Sequence, residues 1–202
     1  MEIINSHNLS LFLGEKDFIL TKIIIAGGIN VGKTLCKKRI HQYYSKGEEF
    51  IIENCDKSYT PTVGHDFNIF YFKIKDKFFK IQLWDVSGQD MWDNSVYYLS
   101  RGAGAILLFY DSFDRNSFLK AKKLYTKLYQ SYPKSIYALI RCKYDLAVKD
   151  KNNDIVSDEE AFEFANNNNI IFAHLSNFEK YETGINELLG EIFLKYPELS
   201  QI

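Results

Sequence analysis

Residues 23–34 leave this chain little freedom. Four apolar residues, Ile23-Ile24-Ile25-Ala26, read as a buried strand and run directly into Gly27-Gly28-Ile29-Asn30-Val31-Gly32-Lys33-Thr34, after which a helical pattern begins. The spacing G-x-x-x-x-G-K-[ST] between strand and helix is that of a phosphate-binding loop. The residue types follow from the chemistry. Successive backbone N–H groups at a helix N-terminus wrap a phosphate, and side chains at the glycines would obstruct that approach. Lys33 supplies a point charge for β- and γ-phosphates, and Thr34 a hydroxyl oxygen for Mg²⁺, a hard cation that keeps several waters. The candidate nucleotide contacts here are Ile29, Asn30, Val31, Gly32, Lys33, Thr34 and Leu35, with Thr34 also a metal ligand.

The rest of the chain supplies a fold to carry such a loop. Apolar runs at about 18–26, 68–75, 78–85, 104–111, 135–142 and 170–175 alternate with helical patterns at about 33–45, 89–100, 116–131, 158–167 and 184–195. That order predicts an α/β fold: a six-stranded, mostly parallel sheet with helices on both faces. The strands flanking Lys75-Asp76-Lys77 alternate in polarity and should pair as a hairpin, giving one antiparallel edge strand. Ser157 followed by Glu160 is a capping box that starts the fourth helix. The Asn166–Asn169 run should end it, because asparagine tolerates the left-handed region. No repeat or linker interrupts the 202 residues, so a single domain with its core at about 18–196 is expected.

Composition narrows the partners. Acidic and basic residues nearly balance, 26 against 25, so no global field favours nucleic acid or an anionic membrane. Any charged ligand must be held locally. The three cysteines, Cys36, Cys55 and Cys142, form no CxxC pair and suggest neither a disulfide framework nor a zinc site. No signal peptide or membrane-spanning run is evident. A cytoplasmic protein is expected.

Two downstream segments carry a family resemblance. Tyr59-Thr60-Pro61-Thr62-Val63-Gly64-His65-Asp66-Phe67 resembles the first switch of Rab-type small GTPases of the Ras superfamily. Lys80-Ile81-Gln82-Leu83-Trp84-Asp85-Val86-Ser87-Gly88-Gln89 carries the D-x-x-G-Q spacing of the second. The resemblance implies a P-loop GTPase domain and assigns roles. Tyr59 would lie by the nucleotide, Thr62 would bind Mg²⁺ and the γ-phosphate, and Asp85 would reach the metal through a water. Gly88 would offer its N–H to the γ-phosphate, and Gln89 would orient the attacking water. Arg101-Gly102-Ala103 and Leu107-Leu108-Phe109-Tyr110-Asp111 are also Rab-like, as is the Tyr97-Tyr98 pair, set two residues early; the likeness spans about 18–195. Effectors, exchange factors and activating proteins would meet segments 45–67 and 86–100.

The base-recognition motifs depart from the family. For N-K-x-D this chain has Cys142-Lys143-Tyr144-Asp145. Asp145 keeps the guanine specificity group, since its two oxygens can accept from the ring N–H and exocyclic amine together. Lys143 can lie over the base. Cys142 cannot reproduce an amide, and the lost hydrogen bond typically costs about 1–3 kcal/mol; it is equally a small buried hydrophobe at a strand end. The S-A-K motif corresponds to Ser176-Asn177-Phe178, where a backbone N–H can still meet the guanine oxygen. Ile29 and Asn30 stand where the family carries a small residue and then glycine, so Ile29 should crowd the γ-phosphate and any arginine brought by an activating protein. The span between Thr34 and Thr62 is also longer than usual, and Phe50 within it either covers the guanine edge or packs internally.

These observations lead to a guanine-nucleotide switch that binds GTP or GDP with Mg²⁺, hydrolyses GTP slowly and acts in Rab-like vesicle traffic. A nucleotide-locked interaction protein is the alternative, motivated by Ile29, Asn30, Cys142 and Phe178. An ATPase or nucleotide kinase is a third, opposed by Asp145. The chain ends Tyr196-Pro197-Glu198-Leu199-Ser200-Gln201-Ile202 without prenylation cysteines, which leaves peripheral attachment to endomembranes open.

Overall fold

The computed structural model describes residues 2–4, 18–46, 64–74, 77–88, 94–143, 156–175 and 181–196. In chain order these form β1 (Glu2–Ile4), β2 (Phe18–Gly27), α1 (Lys33–Lys46), β3 (His65–Ile74), β4 (Lys77–Val86) and α2 (Asn94–Leu99). They continue as β5 (Ala105–Asp111), α3 (Arg115–Ser131), β6 (Ile136–Cys142), α4 (Asp158–Asn167), β7 (Ile171–Leu175) and α5 (Tyr181–Leu194). One seven-stranded sheet has the order β1-β3-β4-β2-β5-β6-β7.

Strands β4, β2, β5, β6 and β7 run parallel, and β3 is antiparallel to β4. This is the six-stranded frame and antiparallel hairpin that the apolar pattern predicts. The hairpin register closes with Ile74 opposite Lys77; Asp76 of the expected turn lies outside the described residues. The seventh strand was not expected. β1 pairs antiparallel with β3, Ile3 opposite Phe72, so β3 is not an edge along Tyr71–Lys73. Three residues are too few to show a period of two.

The strands differ in burial as their positions require. Central β5 is buried throughout, and its sequence Ala-Ile-Leu-Leu-Phe-Tyr-Asp is correspondingly apolar on both faces. One core cluster joins Cys36 and Ile40 of α1 with Ile185, Leu188 and Phe193 of α5. The other joins Val96 of α2, Phe118 and Leu128 of α3 and Ala161 of α4 on the opposite face. The expected helix at 89–100 is described only as Asn94–Leu99.

Helix ends follow local chemistry. The Asp114 carboxylate accepts from Asn116 N–H at 2.9 Å to start α3. Ser157 Oγ accepts from Glu160 N–H at 3.2 Å to start α4, while the Glu160 carboxylate grips Arg115 through two 2.8 Å bonds. The backbone of α4 turns off at Asn169, φ 52°, with Ile170 N–H returning to Ala165 O at 3.0 Å.

The topology locates the site. From β2 the chain passes through α1 to β3 and β4 on one side of it and then crosses from β4 to β5 on the other, and open α/β sheets hold ligands at such a reversal, outside the carboxyl ends of the strands. Gly27, Val86, Asp111 and Cys142 all end strands there.

Candidate nucleotide site

The loop from Gly27 to Gly32 joins buried β2 to α1. Gly27 has φ 150°, and a Cβ there would meet Phe109 O at 2.4 Å, so only glycine lets β2 turn away beside β5. Asn30 takes the left-handed conformation, φ 59°, which asparagine adopts more readily than other side chains. Val31 packs into the core beneath the loop, whereas Ile29 is 50% exposed at its tip.

Lys33 curls into the loop. Its buried ammonium donates to Gly27 O at 3.1 Å and to Gly28 O at 2.6 Å. Burial lowers its pKa, opposed by the nearby Asp85 carboxylate. Thr34, next along α1, donates from Oγ1 to Asp85 Oδ2 at 2.7 Å, joining the start of α1 to the end of β4. Leu35 sits in the same first turn, half-buried.

Asp85 is fully buried, and its Oδ1 has no hydrogen-bond partner among the described residues. Burial pushes its pKa up, while the Thr34 hydroxyl, Lys33 and Lys37 pull it back. A buried carboxylate oxygen without a donor, beside a hydroxyl, offers hard oxygen ligands of the kind Mg²⁺ takes. No cluster of three acidic, histidine or cysteine side chains occurs among the described residues. A metal carried largely by phosphates and waters needs none.

Gly88 lies directly against the loop. A Cβ on it would meet Ile29 N at 2.6 Å and Gly28 C and O at 2.7 Å. Thus the D-x-x-G segment and the phosphate loop touch backbone to backbone, with Ile29 at the contact.

The ends of β5 and β6 carry Asp111, Cys142 and Lys143, the last two of them expected from the sequence to recognise the base. Cys142 is buried in the core cluster that also contains Cys36, and burial raises its thiol pKa well above the ordinary value. This is the position of a small buried hydrophobe. Its carbonyl accepts from Ser112 N–H at 3.1 Å and Ser112 Oγ at 2.8 Å. Lys143 adopts φ 59° and pairs its ammonium with the Asp111 carboxylate. Left-handed backbone on a non-glycine residue costs energy and concentrates at functional sites.

Tyr59, Thr62, Gln89, Asp145, Ser176, Asn177, Phe178 and the Phe50 candidate lie outside the described residues. The sequence reading missed Lys37, Asp66, Asp111 and Arg141. Lys37 and Arg39 belong to a Lys-Lys-Arg run that resembles a solvated helix face, yet both are buried. Only the packing of α1 on β3 and β4 separates them from exposed Lys38.

An aromatic surface is exposed at the start of β3. Phe67, 47% exposed, faces Trp84 across the hairpin and stacks on it with centroids 4.8 Å apart and rings 19° from parallel. His65 lies 5.5 Å from the same indole, and the Lys22 ammonium sits 5.1 Å over it. No helix among the described residues is long and apolar enough to cross a membrane.

Comparison with known proteins agrees with this arrangement. The Ras family model matches residues 22–196. The chain is 31% identical over 192 residues to the Ras-related protein Rab-1 of Theileria parva, covering 91% of this chain and 80% of that one. It is 28% identical over 193 residues to the Ras-related protein RABC2b of Arabidopsis thaliana, covering 94% and 86%. It is 29% identical over 163 residues to the GTP-binding protein ypt1 of Schizosaccharomyces pombe, covering 80% and 73%. A phosphate loop seated at the sheet's topological reversal, backed by Thr34 and Asp85 and matched along most of its length by these relatives, makes this chain a divergent Rab-like member of the Ras family.

Proposed function

We propose that the protein is a guanine-nucleotide switch that binds GDP or GTP with Mg²⁺, hydrolyses GTP slowly and regulates vesicle traffic through partner proteins. The observation that carries this reading is the Thr34–Asp85 contact beside Asp85 Oδ1, which has no hydrogen-bond partner among the described residues, together with the Lys33 loop. Loop N–H groups and Lys33 would hold the β- and γ-phosphates. Thr34 and Thr62 would ligate Mg²⁺, with Asp85 reaching it through a water, and the ion would neutralise charge developing on the phosphates. Gly88 would offer its N–H to the γ-phosphate, and Gln89 would orient the attacking water. Asp145 with Lys143 would select guanine, joined by a backbone N–H from Ser176 to Phe178. Tyr59 would flank the nucleotide.

Slow turnover follows from Ile29. Its backbone N lies where Gly88 approaches and its half-exposed side chain stands on that loop, so a group brought to the γ-phosphate would meet it. The Phe67–Trp84 stack gives effectors an aromatic platform beside a segment that would rearrange with the third phosphate.

The test is direct. Purified protein should yield stoichiometric guanine nucleotide on extraction, and single-turnover assays with Mg²⁺ should release phosphate in a manner abolished by Gln89→Leu. No phosphate release, with no effect of that substitution, would remove the enzymatic half. The position of Ile29 then favours the second reading, a protein that binds nucleotide and partners without cycling.

A further inference from the structure

Helix α1 sends two side chains to the same face of the β3–β4 hairpin, one turn apart. Thr34 bonds Asp85 of β4, and Lys37 forms an ion pair with Asp66 of β3. Asp66 and Asp85 are directly opposite each other in the antiparallel register, so their side chains share a face and repel. The Lys37 side chain is only 4% exposed, whereas that of Asp66 is 65% exposed.

That asymmetry is informative. Asp66 is hydrated and has no need of a buried partner, and burying an ammonium is costly unless nearby charge compensates it. The buried group in want of compensation is Asp85, whose Oδ1 has no hydrogen-bond partner among the described residues. Lys37 lies within the field of that carboxylate together with Lys33. His41, one turn further along α1, lies within electrostatic reach of Asp66.

We propose that Lys37, tethered by Asp66, is a positioning residue: a fixed cation behind Asp85 that sets how strongly nucleotide retention depends on Mg²⁺. The inference rests on the proposed nucleotide site. With the metal in place, Lys37 repels it and weakens its hold. With the metal removed, Lys37 remains to offset the charge of Asp85 and the phosphates. Nucleotide release on chelation is therefore muted. Because Asp66 sits two residues after Gly64, at the start of β3, the tether also anchors the exit of the first switch to α1.

The experiment follows the release of a fluorescent GDP analogue from the full chain across a range of free Mg²⁺, for the unaltered protein and for Lys37→Met, Lys37→Arg and Asp66→Asn. Lys37→Met should move the Mg²⁺ midpoint about tenfold lower and enlarge the acceleration by chelator by a similar factor, as expected for one charge acting at close range in a partly buried site. Asp66→Asn removes the tether but keeps the ammonium, so the midpoint should move higher. Lys37→Arg should keep the original midpoint. A purely structural role would shift Lys37→Met and Asp66→Asn in the same direction, and that result, or coincident midpoints throughout, would overturn the proposal. Failure of the unaltered protein to bind the analogue would instead overturn the nucleotide reading beneath it.

Discussion

Thr34 Oγ1 donates to Asp85 Oδ2 at 2.7 Å, so the residue after the loop lysine and the last acidic residue of β4 meet across 51 positions of sequence. The contact satisfies one carboxylate oxygen and leaves the other without a hydrogen-bond partner among the described residues. Asp85 is thus arranged for a ligand at the expense of the fold. Its raised pKa has a definite sign: the folded protein holds this proton more tightly than the unfolded chain, so its contribution to stability falls as pH rises from 3.8 through the elevated value. Asp85→Asn should therefore raise the melting temperature of metal- and nucleotide-stripped protein at neutral pH, by about 3 °C for each kcal/mol recovered. The same substitution should cut the ability of Mg²⁺ to slow nucleotide release by at least about tenfold. Scanning calorimetry and release kinetics check the two halves, and a lower melting temperature would contradict the first.

Gly88→Ala tests the second switch. Its Cβ would lie 2.6 Å from Ile29 N, a backbone atom that cannot swing aside. The segment must then stand off the loop. GDP affinity should stay within about threefold, because on the proposed reading that contact serves the third phosphate. GTP-dependent protection from protease should disappear. Full protection in the variant would show that the contact is unimportant.

Much of this was legible because it is local. A strand, a glycine loop and a helix N-terminus are contiguous, so residues 23–34 specify a phosphate site before any tertiary contact is known. Ser157 and the asparagine run likewise mark the ends of α4 through bonds made within a few positions. The hairpin itself follows from the alternation of its two strands, whereas the register that sets Asp66 opposite Asp85 was not read from it. What could not be read depends on distant packing. Lys37, Lys38 and Arg39 are chemically alike in sequence, and only the angle at which α1 lies on the sheet buries the first and third. Strand β1 is similar, since its pairing with β3 joins residues separated by most of the first seventy positions.

Cys142→Asn should strengthen guanine binding. The position is already fixed by the two bonds from Ser112 to its carbonyl, so an amide placed there is held without further ordering. A recovered hydrogen bond predicts GDP dissociation slowed about tenfold, read by stopped-flow fluorescence. An unchanged rate would mean that the thiol is a packing residue alone. Because the side chain is buried, thermal stability can fall while affinity rises, and the two must be measured separately.

Arg141 is the largest fully buried side chain described, and it lies directly before Cys142 and Lys143. Its Nε donates to Ser112 Oγ at 3.0 Å and Nη2 to Val156 O at 3.2 Å, while Nη1 pairs with the Asp158 carboxylate. One planar group thereby links the ends of β5 and β6 to the start of α4. Arg141→Met should cost about 2–4 kcal/mol in denaturant unfolding. Arg141→Lys should rescue little of it, because a single ammonium cannot span three directions. Both should speed GDP release, since Cys142 and Lys143 continue directly from this anchor.

The same clasp predicts an acid sensitivity. His174 Nε2 lies 3.7 Å from Asp158 Oδ1, its ring centroid 4.7 Å from Phe172. Burial lowers its pKa below 6.5, outweighing the pull of Asp158, and the charge of Arg141 lowers it further. The folded protein therefore binds this proton less readily than the unfolded chain. Stability from this group is complete above 6.5 and is lost as pH falls below that value toward the depressed one. Melting temperature should drop as pH falls below 6.5 toward the depressed value. His174→Gln, which cannot titrate, should flatten that slope while leaving the carboxylate-driven loss below about pH 5. A slope that survives the substitution would place the titrating group elsewhere. Because protonated His174 competes with Arg141 for Asp158, GDP release should quicken over the same interval in the unaltered protein and not in the variant.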